Sequence, residues 1–128
     1  MKLLTLLCVF LLPALAHASS AAMDGNEMLQ KCHPLWTDNQ RSMTTQEVMD
    51  STFCSGYIAG VLDAREMQFA MDRVDHVKGR NQYCRPTEVT YSQVFKVIKK
   101  WLDDNPADLH QRADTIIFTA MLGAFPCK

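Results

Sequence analysis

The sequence predicts an all-α fold, a compact four-helix bundle-like domain with two disulfides that follows an N-terminal signal peptide. Three observations point there. Four helix-start signals each precede an apolar pattern of helical period, no segment sustains the alternation of a strand, and four cysteines follow an export signal.

The export signal is the opening MKLLTLLCVFLLPALAHASS. A single Lys2, an apolar run from Leu3 to Leu15 and the small-x-small site Ala16-His17-Ala18 give the order of a secretory signal peptide, with cleavage after Ala18. The run is shorter than the ~20 apolar residues a bilayer span needs. Residues 1–18 are therefore expected to be removed, leaving residues 19–128 as one exported domain with one core. That portion keeps 12 basic residues against 14 acidic ones. Nucleic acid and an anionic membrane call for a basic excess gathered on one face, so neither is expected as a partner.

The first helix starts at Asp24-Gly-Asn-Glu27, where Asp24 is an N-cap acceptor and Glu27 a carboxylate three residues on. A capping box, Thr44-Thr-Gln-Glu47, opens the second, expected over about 45–71, with Val48, Tyr57, Ile58, Val61, Leu62 and Met67 near one stripe. Thr90-Tyr-Ser-Gln93 repeats the box for the third, to about Asp103, with Val94, Val97, Ile98, Trp101 and Leu102 as its apolar face. Asn105-Pro106-Ala-Asp108 supplies a cap, a proline at the first helical position and an acid in the first turn. The fourth helix is placed from Pro106 to about Ala124, facing inward through Leu109, Ala113, Ile116, Ile117, Ala120 and Met121. Two longer loops remain, 33–43 and 72–85.

Cys32, Cys54, Cys84 and Cys127 form an even set in an exported chain, which favours two disulfides. A zinc site is the competing reading, but there is no Cys-x-x-Cys pair, and His33 adjoins Cys32 instead of standing at ligand spacing. Three pairings are formally open. The third and fourth helices are joined by a couple of residues and so should be antiparallel neighbours, which brings Cys84, just before one, beside Cys127, just after the other. Cys32 is left for Cys54. This explains a cysteine inside a helix: it staples a first helix of about three turns, which alone would be marginal. Gly56 and Gly60 lie one turn apart, where they are expected to let another backbone approach closely.

No catalytic set is apparent. A hydrolase needs a nucleophile with a base, paired carboxylates or an open metal site, and His33, His76 and His110 stand in no such arrangement. His110 reads as a surface or capping residue of the fourth helix. A phospholipase A2 would show a His-Asp pair beside a cysteine and a glycine-rich calcium loop, and neither occurs. The acid pairs Asp63 with Glu66 and Asp103 with Asp104 read as solvated or helix-ending groups. Neither a metal nor a cofactor is expected. The polar loop DRVDHVKGRNQYCR is the best functional surface, because binding residues gather on loops held by rigid scaffolds.

Read in order, DGNEMLQKC (24–32), CSGYIAGVLDA (54–64), YCRPTEVTYSQ (83–93), NPADLHQRA (105–113) and AFPC (124–127) resemble the Rap/Tai family of immunity proteins that accompany type VI secretion effectors. The resemblance spans nearly all of the chain beyond the signal. It implies a small, all-helical periplasmic protein, homodimeric and not an enzyme, that binds a cognate peptidoglycan amidase effector and blocks its active site. The expected inhibitory element is a protruding loop carrying Asp72, Arg73, Asp75, His76, Lys78 and Arg80. The small-residue face of the second helix is the place suggested for the dimer contact. The alternative is a periplasmic chaperone or stress protein whose apolar helix faces bind unfolded clients.

Overall fold

The structure, a computed structural model, describes residues 22–37, 42–78 and 81–127. The expected signal segment lies outside the described residues. The described residues form four α-helices: α1 (Gly25–Lys31), α2 (Thr45–Val74), α3 (Tyr91–Asp104) and α4 (Ala113–Ala124). Among the described residues there is no strand, only two isolated antiparallel bridges, Asp24 with Arg112 and Tyr83 with Pro126. The predicted all-α class and both disulfides, Cys32–Cys54 and Cys84–Cys127, are present.

Three of the four start signals act as read. The Asp24 carboxylate accepts from the Glu27 amide at 2.8 Å. Thr44 with Glu47, and Thr90 with Gln93, close reciprocal boxes in which each side chain satisfies the other residue's free amide. At the C-terminal end of α3, Lys99 and Lys100 pair with Asp103 and Asp104 one turn on, which accounts for that pair of acids.

The fourth signal is displaced. Asn105-Pro106 starts only a 3₁₀ turn, Pro106–Asp108, and α4 begins at Ala113 with Arg112 as its N-cap. The reason is competition for backbone groups. The amides of Gly25 and Asn26, orphaned at the start of α1, donate to the carbonyls of Gln111 and Leu109, each at 3.1 Å, and the Ala113 amide donates to the Met23 carbonyl at 2.7 Å. The Ala113 amide has one proton, and with it committed to Met23 it cannot donate to the Leu109 carbonyl as a helix through 109–113 requires. His110 thus lies in the turn ahead of α4, its Nδ1 3.0 Å from the Ala107 carbonyl oxygen.

The core fills the space between the inner faces of α2 (Ile58, Leu62, Phe69), α3 (Val94, Ile98, Leu102) and α4 (Ile116, Ile117, Met121), with Met28 of α1 inserted among them. Helices α3 and α4 make the most extensive contact of any pair, as their short connection requires. Two residues assigned to the core stripe of α2 lie elsewhere: Val48 is 49% exposed and Met67 65% exposed. Likewise, apart from α2's own backbone and the flanking residues, no described atom comes within 4 Å of a Cβ built on Gly56 or Gly60, so no other described segment makes the close approach expected there.

Gly25 is the glycine the packing requires. A Cβ there would stand 2.6 Å from Ile116 Cδ1 and 2.8 Å from the Leu109 carbonyl oxygen, and the latter, being backbone, cannot turn away. Replacing Gly25 by alanine should destabilise the protein by about 1–3 kcal/mol, the range for overpacking a tight site. Urea denaturation followed by circular dichroism measures this; an unchanged midpoint would show that the contact tolerates a methyl group.

Candidate functional site

The segment after α2 is braced at both ends. Helix α2 runs one turn further than expected and closes with the Asp72 and Arg73 carbonyls accepting from Val77 (2.9 Å) and His76 (3.4 Å). This is the crossed pair of a Schellman end, in which the residue after the cap is left-handed. His76 is that residue, at φ 55°. Histidine is among the few non-glycine residues that enter this region with any frequency, so the helix end itself accounts for its conformation.

At the other end Cys84 is tied to Cys127 and its amide donates to the Phe125 carbonyl at 2.8 Å, while Tyr83 bridges to Pro126. Tyr83 meets Phe69 of α2 edge-on, ring centroids 5.2 Å apart, and Phe118 of α4 at 6.3 Å. Arg85 reaches back to α2, where its Nε and Nη2 donate to Glu66 at 3.0 and 2.8 Å. Its guanidinium also lies over the Tyr91 ring, whose hydroxyl donates to Asp63 at 3.3 Å. The acid pair Asp63 and Glu66 therefore clamps the loop and the start of α3. A surface groove of about 500 Å³ opens beside these groups, lined by Glu66, Phe69, Arg73, Tyr83, Arg85 and Thr87 among others.

Of the six residues predicted to form the protruding element, Arg73, Asp75, His76 and Lys78 are exposed at the tip of α2 and the turn that follows. Asp72 is not part of that surface: it is helical and 4% exposed, and its carboxylate accepts from Gln68 at 3.3 Å. Arg80 lies outside the described residues. The residues that hold the loop, Glu66, Tyr83, Arg85 and Pro126, were not singled out as a set. Tyr83 and Arg85 flank Cys84 and so could have been noticed, whereas nothing local joins Glu66 to a partner 19 positions away.

His33, His76 and His110 sit on three separate segments: a 3₁₀ turn after α1, the end of α2, and the turn before α4. Among the described residues no three His, Cys, Asp or Glu side chains gather as a metal would require. No helix among them is long and apolar enough to cross a membrane.

The structure is a small helical body with two crosslinks and a loop anchored on both flanks, an arrangement in which a rigid scaffold presents a surface loop. The sequence model of a family described as Rap1a immunity proteins matches residues 24–127, and the chain belongs to that family. No curated protein matches the chain.

The two crosslinks have different surroundings, and this sets different consequences for their loss. Cys32 and Cys54 are fully buried, whereas Cys84 and Cys127 are exposed at the loop's base. Replacing Cys32 and Cys54 together by alanine should cost about 2–5 kcal/mol of stability and loosen α1. The same change at Cys84 and Cys127 should leave the helical signal of the native state intact while amide exchange across 81–85 accelerates; identical exchange patterns in the two variants would contradict this division.

Burial pushes the Tyr83 hydroxyl up to about 12, with Glu66 adding to the rise and Arg85 opposing it. The folded protein holds this proton more tightly than the unfolded chain, so the contribution is present below the ordinary tyrosine value of about 10 and is lost as the pH climbs through about 12. The hydroxyl is buried and has no hydrogen-bond partner among the described residues. Tyr83→Phe should therefore change stability at neutral pH by less than about 1 kcal/mol, removing a buried group that no bond compensates. It should also remove the latest phenolate step from the absorbance titration. An early, unshifted phenolate step for Tyr83 would overturn this account.

Proposed function

We propose that the chain is exported to the periplasm, with residues 1–18 removed, and there binds a cognate type VI secretion effector, a peptidoglycan amidase, occluding its active site. Membership of the immunity family supports the general role, and the doubly braced loop after α2 supports the manner. In this reading Arg73, Asp75, His76, Lys78 and Arg80 enter or cover the effector cleft, with the adjoining groove accepting the rim of the cleft. Because the Schellman end, the crosslink and the Glu66–Arg85 pair already order the flanks, little conformational entropy is lost on binding. An interface of the usual 1,200–2,000 Å² then suffices for tight inhibition without any catalytic step by the chain itself. The second partner is another copy of the chain, as the resemblance implies.

The observation that carries the manner of binding is the bracing of both loop ends around exposed charges. Replacing residues 76–81 with a Gly-Ser segment, while keeping Asp72 and Arg73 in the helix, should weaken inhibition of the purified amidase by roughly 100-fold, the scale of losing a binding hot spot. Helicity and thermal stability of the variant serve as the folding control. Full inhibition by the folded variant would remove the loop from the interface.

A further inference from the structure

The two crosslinks differ in what can reach them. Cys32 and Cys54 are 0% exposed and belong to the core cluster, so a reagent meets their sulfurs only after α1 has come away from α2. Cys84 and Cys127 are both exposed, and neither belongs to that cluster. Cys84 also borders two surface grooves, one of about 500 Å³ on the side of α2 and one of about 460 Å³ on the side of the C-terminal segment. The second is lined otherwise by Pro86, Ala124, Phe125 and Pro126. None of these side chains is charged, so an approaching thiolate meets no repelling carboxylate there. Access to the sulfur is one of the factors that set the rate at which a thiol exchanges with a disulfide.

We propose that Cys84–Cys127 is a reversible redox site, opened by a dithiol donor of the oxidoreductase class while Cys32–Cys54 stays closed and the helical body stays folded. One thiolate of the donor attacks a sulfur of the exposed bond, and the other cysteine leaves as a thiolate that takes up a proton. The donor's second thiolate then breaks the mixed disulfide. Two electrons and two protons have passed to Cys84 and Cys127, which end as thiols, and the donor ends as a disulfide. Opening removes a covalent tie between residues 43 positions apart. The loop's exit then meets the segment after α4 only through the Cys84 amide on the Phe125 carbonyl and the bridge of Tyr83 with Pro126. Arg85 on Glu66 and the Tyr83 ring against Phe69 still hold that exit to α2, so the loop loosens on one side without leaving. A looser loop has more freedom to lose on binding, and the opened form should hold the effector about 10-fold less tightly. This last step rests on the proposed function; the selective opening does not.

The test treats the purified mature protein with dithiothreitol for increasing times, traps free thiols with N-ethylmaleimide and locates the label by mass spectrometry of peptides. Cys84 and Cys127 should label at least about 10-fold faster than Cys32 and Cys54, with the helical circular dichroism spectrum unchanged. A catalytic amount of a purified thioredoxin-type dithiol enzyme should speed labelling of the first pair alone. Once the reductant is removed under anaerobic conditions, the two-thiol form should inhibit the amidase about 10-fold less well and recover on reoxidation. A double variant, Cys84→Ser with Cys127→Ser, should match the two-thiol form and be indifferent to reductant. Labelling of all four cysteines together, or of Cys32 and Cys54 first, would overturn the redox site. A two-thiol form that inhibits as well as the oxidised protein would overturn its effect on affinity. If the oxidised protein inhibits no amidase, the proposed function and that effect fall together, and the order of labelling still decides whether the crosslink opens selectively.

Discussion

The fold depends on a backbone exchange that joins the start of the described chain to the segment leading into α4. Two amides at the start of α1 donate to the carbonyls of Leu109 and Gln111, and the Met23 carbonyl accepts from the first residue of α4. This exchange satisfies donors that would otherwise be buried without partners. It also decides where α4 begins. Only glycine at position 25 lets the two segments come near enough, because a methyl group would press on the Leu109 carbonyl. With α1 seated, Met28 enters the core and Cys32 reaches Cys54, so the first crosslink follows from the exchange.

Around that seat, α2 acts as a beam of 30 residues held at separate points. Its first half is fastened to α1 and the adjoining 3₁₀ turn by the buried crosslink. Its second half is fastened by the cluster of Phe69, Tyr83 and Phe118 and by Glu66 with Arg85. The exposed crosslink adds nothing to the core directly; it joins the loop's exit to the C-terminal segment after α4. Stability and presentation are thus divided between two covalent bonds. A change at one need not disturb the other.

Capping and helical period were legible in the sequence because they are local. Each box at Thr44 and Thr90 needs two residues three apart; the Cys84–Cys127 disulfide followed from where a hairpin places its ends, and Cys32–Cys54 from the two cysteines that remained. The start of α4 was misplaced because Asn105-Pro106 carries a true local signal, while a distant segment takes the Ala113 amide that continuing that helix would need. The stripe of α2 was misread for a related reason: a helix apolar on two opposite faces gives one blurred periodic signal, and Met67 was assigned to the wrong side. Gly56 and Gly60 were read as a site of close approach, yet no other described segment fills it. Within the loop, exposure of Arg73 and burial of Asp72 differ by one residue, and only the three-dimensional end of α2 separates them.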